Sequence, residues 1–386
     1  MATVTVEHPA ATLTARLVSL DVLRGITIAF MILVNNNGGH AWWPFEHSAW
    51  NGWTPTDLVF PTFLFIVGVT TVLSLESRLS RGCTIASQMP HIIRRAVILF
   101  ALGVAIAFIA QLPHLHLEHL RIYGVLQRIA ICYLAASLLW IAVRRAPRRV
   151  AILAAITVVL LIGYYILMRW VPVPGYGVPG RDIPFLDKDL NIVAWLDRHI
   201  SPGRLYERTR DPEGLLSDFP SLATALLGML TAVWLRTDRT IRRKCLGIFA
   251  AAIALILLGE LWNPWFPINK KLWTSSYVLF AAGCSLLVWA LCIWLIDIKG
   301  WKKGWSGFWL VFGTNAIYAY VVSELIGILF WRIHMGRTSF SGWSYNELHA
   351  FISSPGGASL VYSLLFVLLC WVLTLPLYRK KIFLKL

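Results

Sequence analysis

Apolar runs of about twenty residues recur along almost the whole chain, near 18–34, 56–75, 92–110, 122–143, 150–170, 219–235, 244–262, 275–296, 308–331 and 358–378. A helix needs roughly that many residues to cross about 30 Å of hydrocarbon. Of the 386 residues, 58% are hydrophobic and 14% charged. That is too little charge for the surface of a soluble domain. The pattern predicts an all-α fold: a polytopic integral membrane bundle of about ten transmembrane helices. Residues 1–16 read as a short arm and 17–386 as one transmembrane domain. The first run ends in Asn-Asn-Asn-Gly-Gly and not in a small-residue cleavage site, so it is kept as a span.

The net charge of +16 would suggest nucleic acid as partner for a soluble protein. Here the cations follow the even-numbered runs. Arg78, Arg81, Arg94 and Arg95 follow the second, and Arg144, Arg145, Arg148 and Arg149 the fourth. Arg236, Arg239, Arg242, Arg243 and Lys244 follow the sixth, and Lys299, Lys302 and Lys303 the eighth. Arg379, Lys380 and Lys381 follow the last. By the positive-inside rule both termini are expected in the cytoplasm, and no nucleic acid is expected. Residues 35–55, 111–121, 171–218, 263–274 and 332–357 then face outward. The longest, 171–218, is rich in Pro and Gly at its start, and its length suits a lid or binding loop. No internal repeat and no broken helix is evident. Cys132, Cys284, Cys292 and Cys370 lie inside apolar runs and form no Cys-x-x-Cys pair, so packing is expected, with neither metal nor disulfide.

The segment 35–61 is the most varied connection. It has no Lys or Arg, yet holds three asparagines at its start, two histidines, four tryptophans and Asp57. His47 sits before Trp50, Asn51 and Gly52. An imidazole with a pKa near 6.5 can act as nucleophile, base or acid. An interfacial histidine in an aromatic belt explains it as well, and His40 has the same composition in its favour. Asn35, Asn36 and Asn37 fit a helix stop, or an amide aimed at a developing oxyanion. Asp57 opens the second run, either as an N-terminal carboxylate favoured by the helix dipole or as the group that orients His47.

Other charges lie within or beside the runs. Asp21 and Arg24 form an i, i+3 pair near the inner edge, where snorkelling is a cheap explanation. Arg128 and Glu324 lie deep, and charge there usually faces a cavity or a partner. On the outer side Asp211 and Glu213, with Lys270 and Trp273, suit a hydroxylated or aminated sugar. Capping and interface anchoring remain as alternatives.

The string SLDVLRGITIAFMILVNNNGGHAWWPFEHSAWNGWTPTDLVFPTFLFIVGV resembles the opening of the heparan-α-glucosaminide N-acetyltransferase family, within a wider group of transmembrane acyltransferases. The likeness continues in RIYGVLQRIAICY, DPEGLLSDFPSLATALLGML, INKKLWTSSYVLF and GTNAIYAYVVSEL. The resemblance implies transfer of an acetyl group from cytosolic acetyl-CoA to an amino sugar or glycan, glucosamine of heparan sulfate in the family, on the far side of the membrane. It puts the active histidine on His47 and the catalytic asparagine on Asn36. Asp57 is expected as their catalytic companion. Arg24, Asp21 and Arg128 are expected to hold the acetyl-CoA. Trp50, Asn51, Asp211, Glu213, Lys270, Trp273 and Glu324 are expected at the acceptor. The long N-terminal luminal region of the animal enzyme has no counterpart, so a bacterial inner-membrane homologue is expected, its site facing the periplasm. Its partners would be acetyl-CoA, the acceptor and the lipid bilayer, with a homodimer as the assembly to test. A secondary transporter or flippase for a sugar or lipid-linked substrate is the alternative; intramembrane Arg128 and Glu324 would serve it too.

Overall fold

The computed structural model describes residues 17–302 and 304–384; the expected arm at 1–16 and Lys303 lie outside the described residues. The described residues are mostly helical. In order the helices are α1 (Val18–Asn35), α2 (Val59–Ser80), α3 (Ile85–Gln111), α4 (Val125–Val143), α5 (Arg149–Trp170), α6 (Ile192–Ile200) and α7 (Asp218–Leu235). They continue with α8 (Ile241–Trp262), α9 (Ser275–Cys292), α10 (Trp305–Thr314), α11 (Ala316–Arg332), α12 (Phe340–Phe351) and α13 (Pro355–Arg379). A two-stranded hairpin of β1 (His334–Met335) and β2 (Thr338–Ser339) joins α11 to α12. Among the described residues nine helices are long and apolar enough to cross a membrane, and ten if one bent pair is counted.

That bent pair corrects the sequence reading. The run near 308–331 is not one straight span: α10 and α11 meet at 82°. The break falls at Thr314 and Asn315. Asn315 is buried, and its side-chain oxygen accepts from the amide of Leu384. The hydropathy profile stays apolar across the break, so it carries no trace of the bend.

Lipid supplies no hydrophobic drive between helices, so close packing needs small residues at crossings. Gly25 of α1 and Gly313 of α10 do this for one pair: a Cβ on either would lie 1.9 Å from a backbone oxygen of the other helix. Gly68 of α2 meets the carbonyl of Ala225 in α7, and Gly228 of α7 meets that of Phe65 in α2. Gly259 and Gly283 bring α8 and α9 together in the same way. The core behind these crossings includes Phe65, Leu64, Leu226, Tyr277 and Trp289, all essentially without solvent contact. By contrast α3, α5 and α8 leave most of their apolar surface outward, as lipid-facing helices must.

The bundle has two unlike ends. At one, Glu76 near the close of α2 takes hydrogen bonds from Trp140 and from Arg144, and lies 3.4 Å from Arg236. This gathers the ends of α2, α4 and α7 around one carboxylate. At the other, about 30 Å away along the 22 residues of α2, the connections 35–55, 111–121, 171–218, 263–274 and 332–357 converge. The positions grouped from charge alone as one side are thus together in space.

Candidate active site

The connections 35–55, 111–121, 171–218, 263–274 and 332–357 all contribute to the wall of a cavity of about 790 Å³. Its wall takes Asn35, Asn36 and Asn37 from the end of α1, His47 and Asp57 from the next connection, and Arg121 from the approach to α4. Glu207 and Glu213 come from the 171–218 connection, Lys270 and Lys271 from the turn before α9, and Tyr320 and Glu324 from α11. Pockets of this size hold small molecules.

His47 and Asp57 form the centre of this wall. Thr54 and Asp57 make a capping box at the turn Pro55–Leu58 that leads into α2. Asp57 is 1% exposed. Its Oδ2 accepts from the amides of Ser48 and Thr54 and from the Thr54 hydroxyl. Its Oδ1 lies 2.7 Å from Nδ1 of His47. The carboxylate thus divides between two contacts: one oxygen caps the turn into α2, the other meets the imidazole. Beside a carboxylate oxygen Nδ1 is the donor, so in the neutral ring the lone pair falls on Nε2. The His47 side chain is 44% exposed, so a reactant can reach it. His40 is exposed and lies outside the cavity wall.

A second connection is bolted to this one. The amide of Gly52 donates to the carbonyl of Ile268, and the Asn269 side chain donates to Oδ1 of Asn51. Asn269 is fully buried and its own oxygen caps the amide of Leu272. The next residue, Lys270, is thereby set with Nζ 3.0 Å from Nδ1 and 3.3 Å from Nε2 of His47, and 3.6 Å from Asp57. Burial pushes the Lys270 ammonium below the usual lysine range, although Asp57 and Glu213 act to restore it.

Asn36 shares the cavity with His47. Its Nδ2 donates to the carbonyl of Ile32, one turn back, which fixes the amide plane and leaves its second N–H. Glu324 bonds with Tyr320 and with Asn35, so α11 is tied to the end of α1 at the cavity floor. Glu213 takes the Arg121 guanidinium at 2.5 Å, and Asp211 holds the same guanidinium through both its oxygens. Burial works to raise the Glu213 carboxyl, but Arg121, Arg128 and Lys270 hold it below the ordinary range. Asp197 on α6 stands apart: burial pushes it up to about 7, with Asp211 adding to the rise.

Several residues expected at the site serve behind it. Arg128 does not line the cavity. It is 1% exposed and held by Asp218 at 2.9 Å, by Ser217 and by the carbonyl of Gly214, with Trp273 under its guanidinium. Trp273 is buried and donates to Thr224. Trp50 donates to the carbonyl of Leu186 and lies under Arg210. Asp211 is buried against Arg121 just behind the wall. Asp21 and Arg24 are paired at 3.3 Å, and Arg24 donates to Gly313, roughly two turns along α1 from the last cavity residue of that helix, Met31. Sequence reasoning missed Arg121, Tyr320, Lys271 and Glu207. Arg121 had a signal: it breaks the alternation of cations between connections, and a cation out of that pattern calls for an acidic partner.

A profile described as heparan-alpha-glucosaminide N-acetyltransferase, catalytic, matches residues 16–262. The human protein named heparan-alpha-glucosaminide N-acetyltransferase is 30% identical over 96% of this chain, and the mouse protein of the same name is likewise 30% identical over 96%. The chain spans 60% of the length of each of these relatives. The profile match takes in α1 to α8 with His47, Asp57 and Arg128, and by it the chain belongs to the heparan-alpha-glucosaminide N-acetyltransferase catalytic family.

Proposed function

We propose that this protein is a transmembrane acetyltransferase that moves the acetyl group of cytosolic acetyl-CoA to the amine of an amino sugar or glycan at the opposite face. The observation that carries the reading is the His47–Asp57 pair: an imidazole held at Nδ1 by a buried carboxylate lines a cavity that Asn36 also lines. Family membership supports the same chemistry. Thioester aminolysis needs a nucleophile or base, a donor for the oxyanion, and shelter from water. In the covalent route Nε2 bonds to the acetyl carbon and the C–S bond breaks, the thiolate leaving. The acceptor amine then bonds to that carbon as the C–N bond to His47 breaks, and the amine proton passes to Nε2. In the direct route Nε2 only takes the amine proton. Asp57 stabilises the imidazolium in either case. Asn36 N–H faces the charge on the carbonyl oxygen.

Acetyl-CoA suits the cavity as a substrate that inserts only a long thin arm. The cations clustered on the even-numbered connections support a cytoplasmic position for that end, hence an outward-facing cavity. In a bacterial inner membrane it would open to the periplasm. The experiment is transfer from labelled acetyl-CoA to a panel of amino sugars by purified protein. No labelled product with glucosamine or its glycans would reject the reading. The broken pair α10–α11 favours one competing function, a secondary transporter, since such helices often build transport sites. Sugar flux into sealed vesicles without any acyl donor would decide for it.

A further inference from the structure

Lys270 has no part in the scheme above, yet its Nζ stands 3.0 Å from Nδ1 of His47. A cation bonded along the in-plane lone pair of Nε2 would lie well away from Nδ1. Lys270 Nζ is instead almost equidistant from the two nitrogens, at 3.0 and 3.3 Å. It therefore lies over the ring's N–Cε1–N edge and leaves the Nε2 lone pair open. It cannot donate at Nδ1 either, whose proton goes to Asp57.

From this geometry we infer that Lys270 is a positioning residue for His47: its charge opposes imidazolium formation and keeps Nε2 free to react. Asp57 alone would do the reverse, because a buried carboxylate at 2.7 Å favours the charged ring. The two charges facing the ring offset each other. The surrounding charges are committed elsewhere: Lys271 to Glu207 at 2.8 Å, and Glu213 to Arg121 at 2.5 Å. Glu324, across the cavity on α11, is engaged by Tyr320 and Asn35, and Glu46 is exposed on the chain before His47. The placement is built in, since buried Asn269 pins the backbone beside Lys270 to Asn51. The inference serves the acyl-transfer reading, but its test needs no turnover.

Diethyl pyrocarbonate acylates only neutral imidazole. The rate of its addition to His47, followed by mass spectrometry of the whole purified protein from pH 5 to 8, reports the neutral fraction. Lys270→Met and Lys270→Gln remove the charge and keep most of the stem. Both should move the midpoint for His47 upward by about one pH unit or more, the range that one nearby charge commands. Lys270→Arg should keep the wild-type midpoint. His40, exposed and outside the cavity, provides the internal control and should not move. An unchanged His47 midpoint in either neutral variant, with thermal unfolding intact, overturns the inference, as does an equal shift at His40. Should the neutral variants fail to fold, the wild type decides: blocking Lys270 by mild carbamylation must shift the His47 midpoint the same way, and no shift overturns it. A shift without any acetyl transfer would reject the proposed function and leave Lys270 its role.

Discussion

At the scale of single residues the proposed function gives three groups separable duties. His47→Ala should abolish acetyl transfer while donor binding, followed by the rise in unfolding temperature with acetyl-CoA, survives; His40→Ala should leave turnover intact. Asp57→Asn keeps the shape but loses the charge that fixes Nδ1–H. A fall in kcat of roughly 10²–10⁴-fold is expected, with little change in donor affinity. Near-normal turnover in that variant would leave Asp57 only its capping role. Asn36→Ala should lower kcat by about 100- to 1000-fold with KM nearly constant, and Asn36→Asp should be at least as harmful. If Asn36→Ala chiefly weakened donor binding, its place as oxyanion donor would be lost. The family resemblance of the surrounding segment put His47 and Asn36 forward, and the fold places both in one cavity wall. Asp57 was legible as a pair of alternatives, because the sequence cannot say that one carboxylate has two oxygens facing different ways.

At the scale of elements, the glycine crossings and the 171–218 connection make distinct demands. Gly68 lies against a backbone carbonyl of α7, whereas a Cβ added at Gly163 on lipid-facing α5 would meet nothing within 4 Å. Gly68→Val should cost more than the roughly 1–3 kcal/mol typical of overpacking, since backbone and not a side chain must yield. Gly163→Val should be nearly neutral; equal unfolding temperatures for the two would refute the crossing. The connection carries Asp197, whose folded-state value near 7 exceeds the ordinary aspartate value of about 3.9. A raised value means that the stabilising contribution is full below about pH 4 and disappears as the pH rises through 7. Asp197→Asn removes that dependence. Relative to wild type, its unfolding temperature should climb between about pH 4 and 7 and then level off. A difference independent of pH would mean that Asp197 is not raised.

At the scale of the whole molecule, the proposed function assigns the two substrates to opposite ends of the bundle. Sealed right-side-out vesicles should acetylate an external amino sugar only when acetyl-CoA is loaded inside. Equal rates with external acetyl-CoA alone would reverse the proposed orientation. The bend between α10 and α11 lies next to the α1 crossing at Gly25 and Gly313.

Hydropathy and charge are properties of short stretches, so the sequence by itself determined the spans, the grouping of their ends and the family likeness of the 35–61 segment. It did not determine the 82° bend, because an apolar run reads the same whether straight or broken. Nor did it determine that Lys270 would stand over His47 across 223 positions, or that Arg121 would meet Asp211 across 90. Those contacts depend on where glycines let helices cross and on which buried asparagine ties one connection to the next. Such choices are made between distant segments, and only the packed bundle decides them.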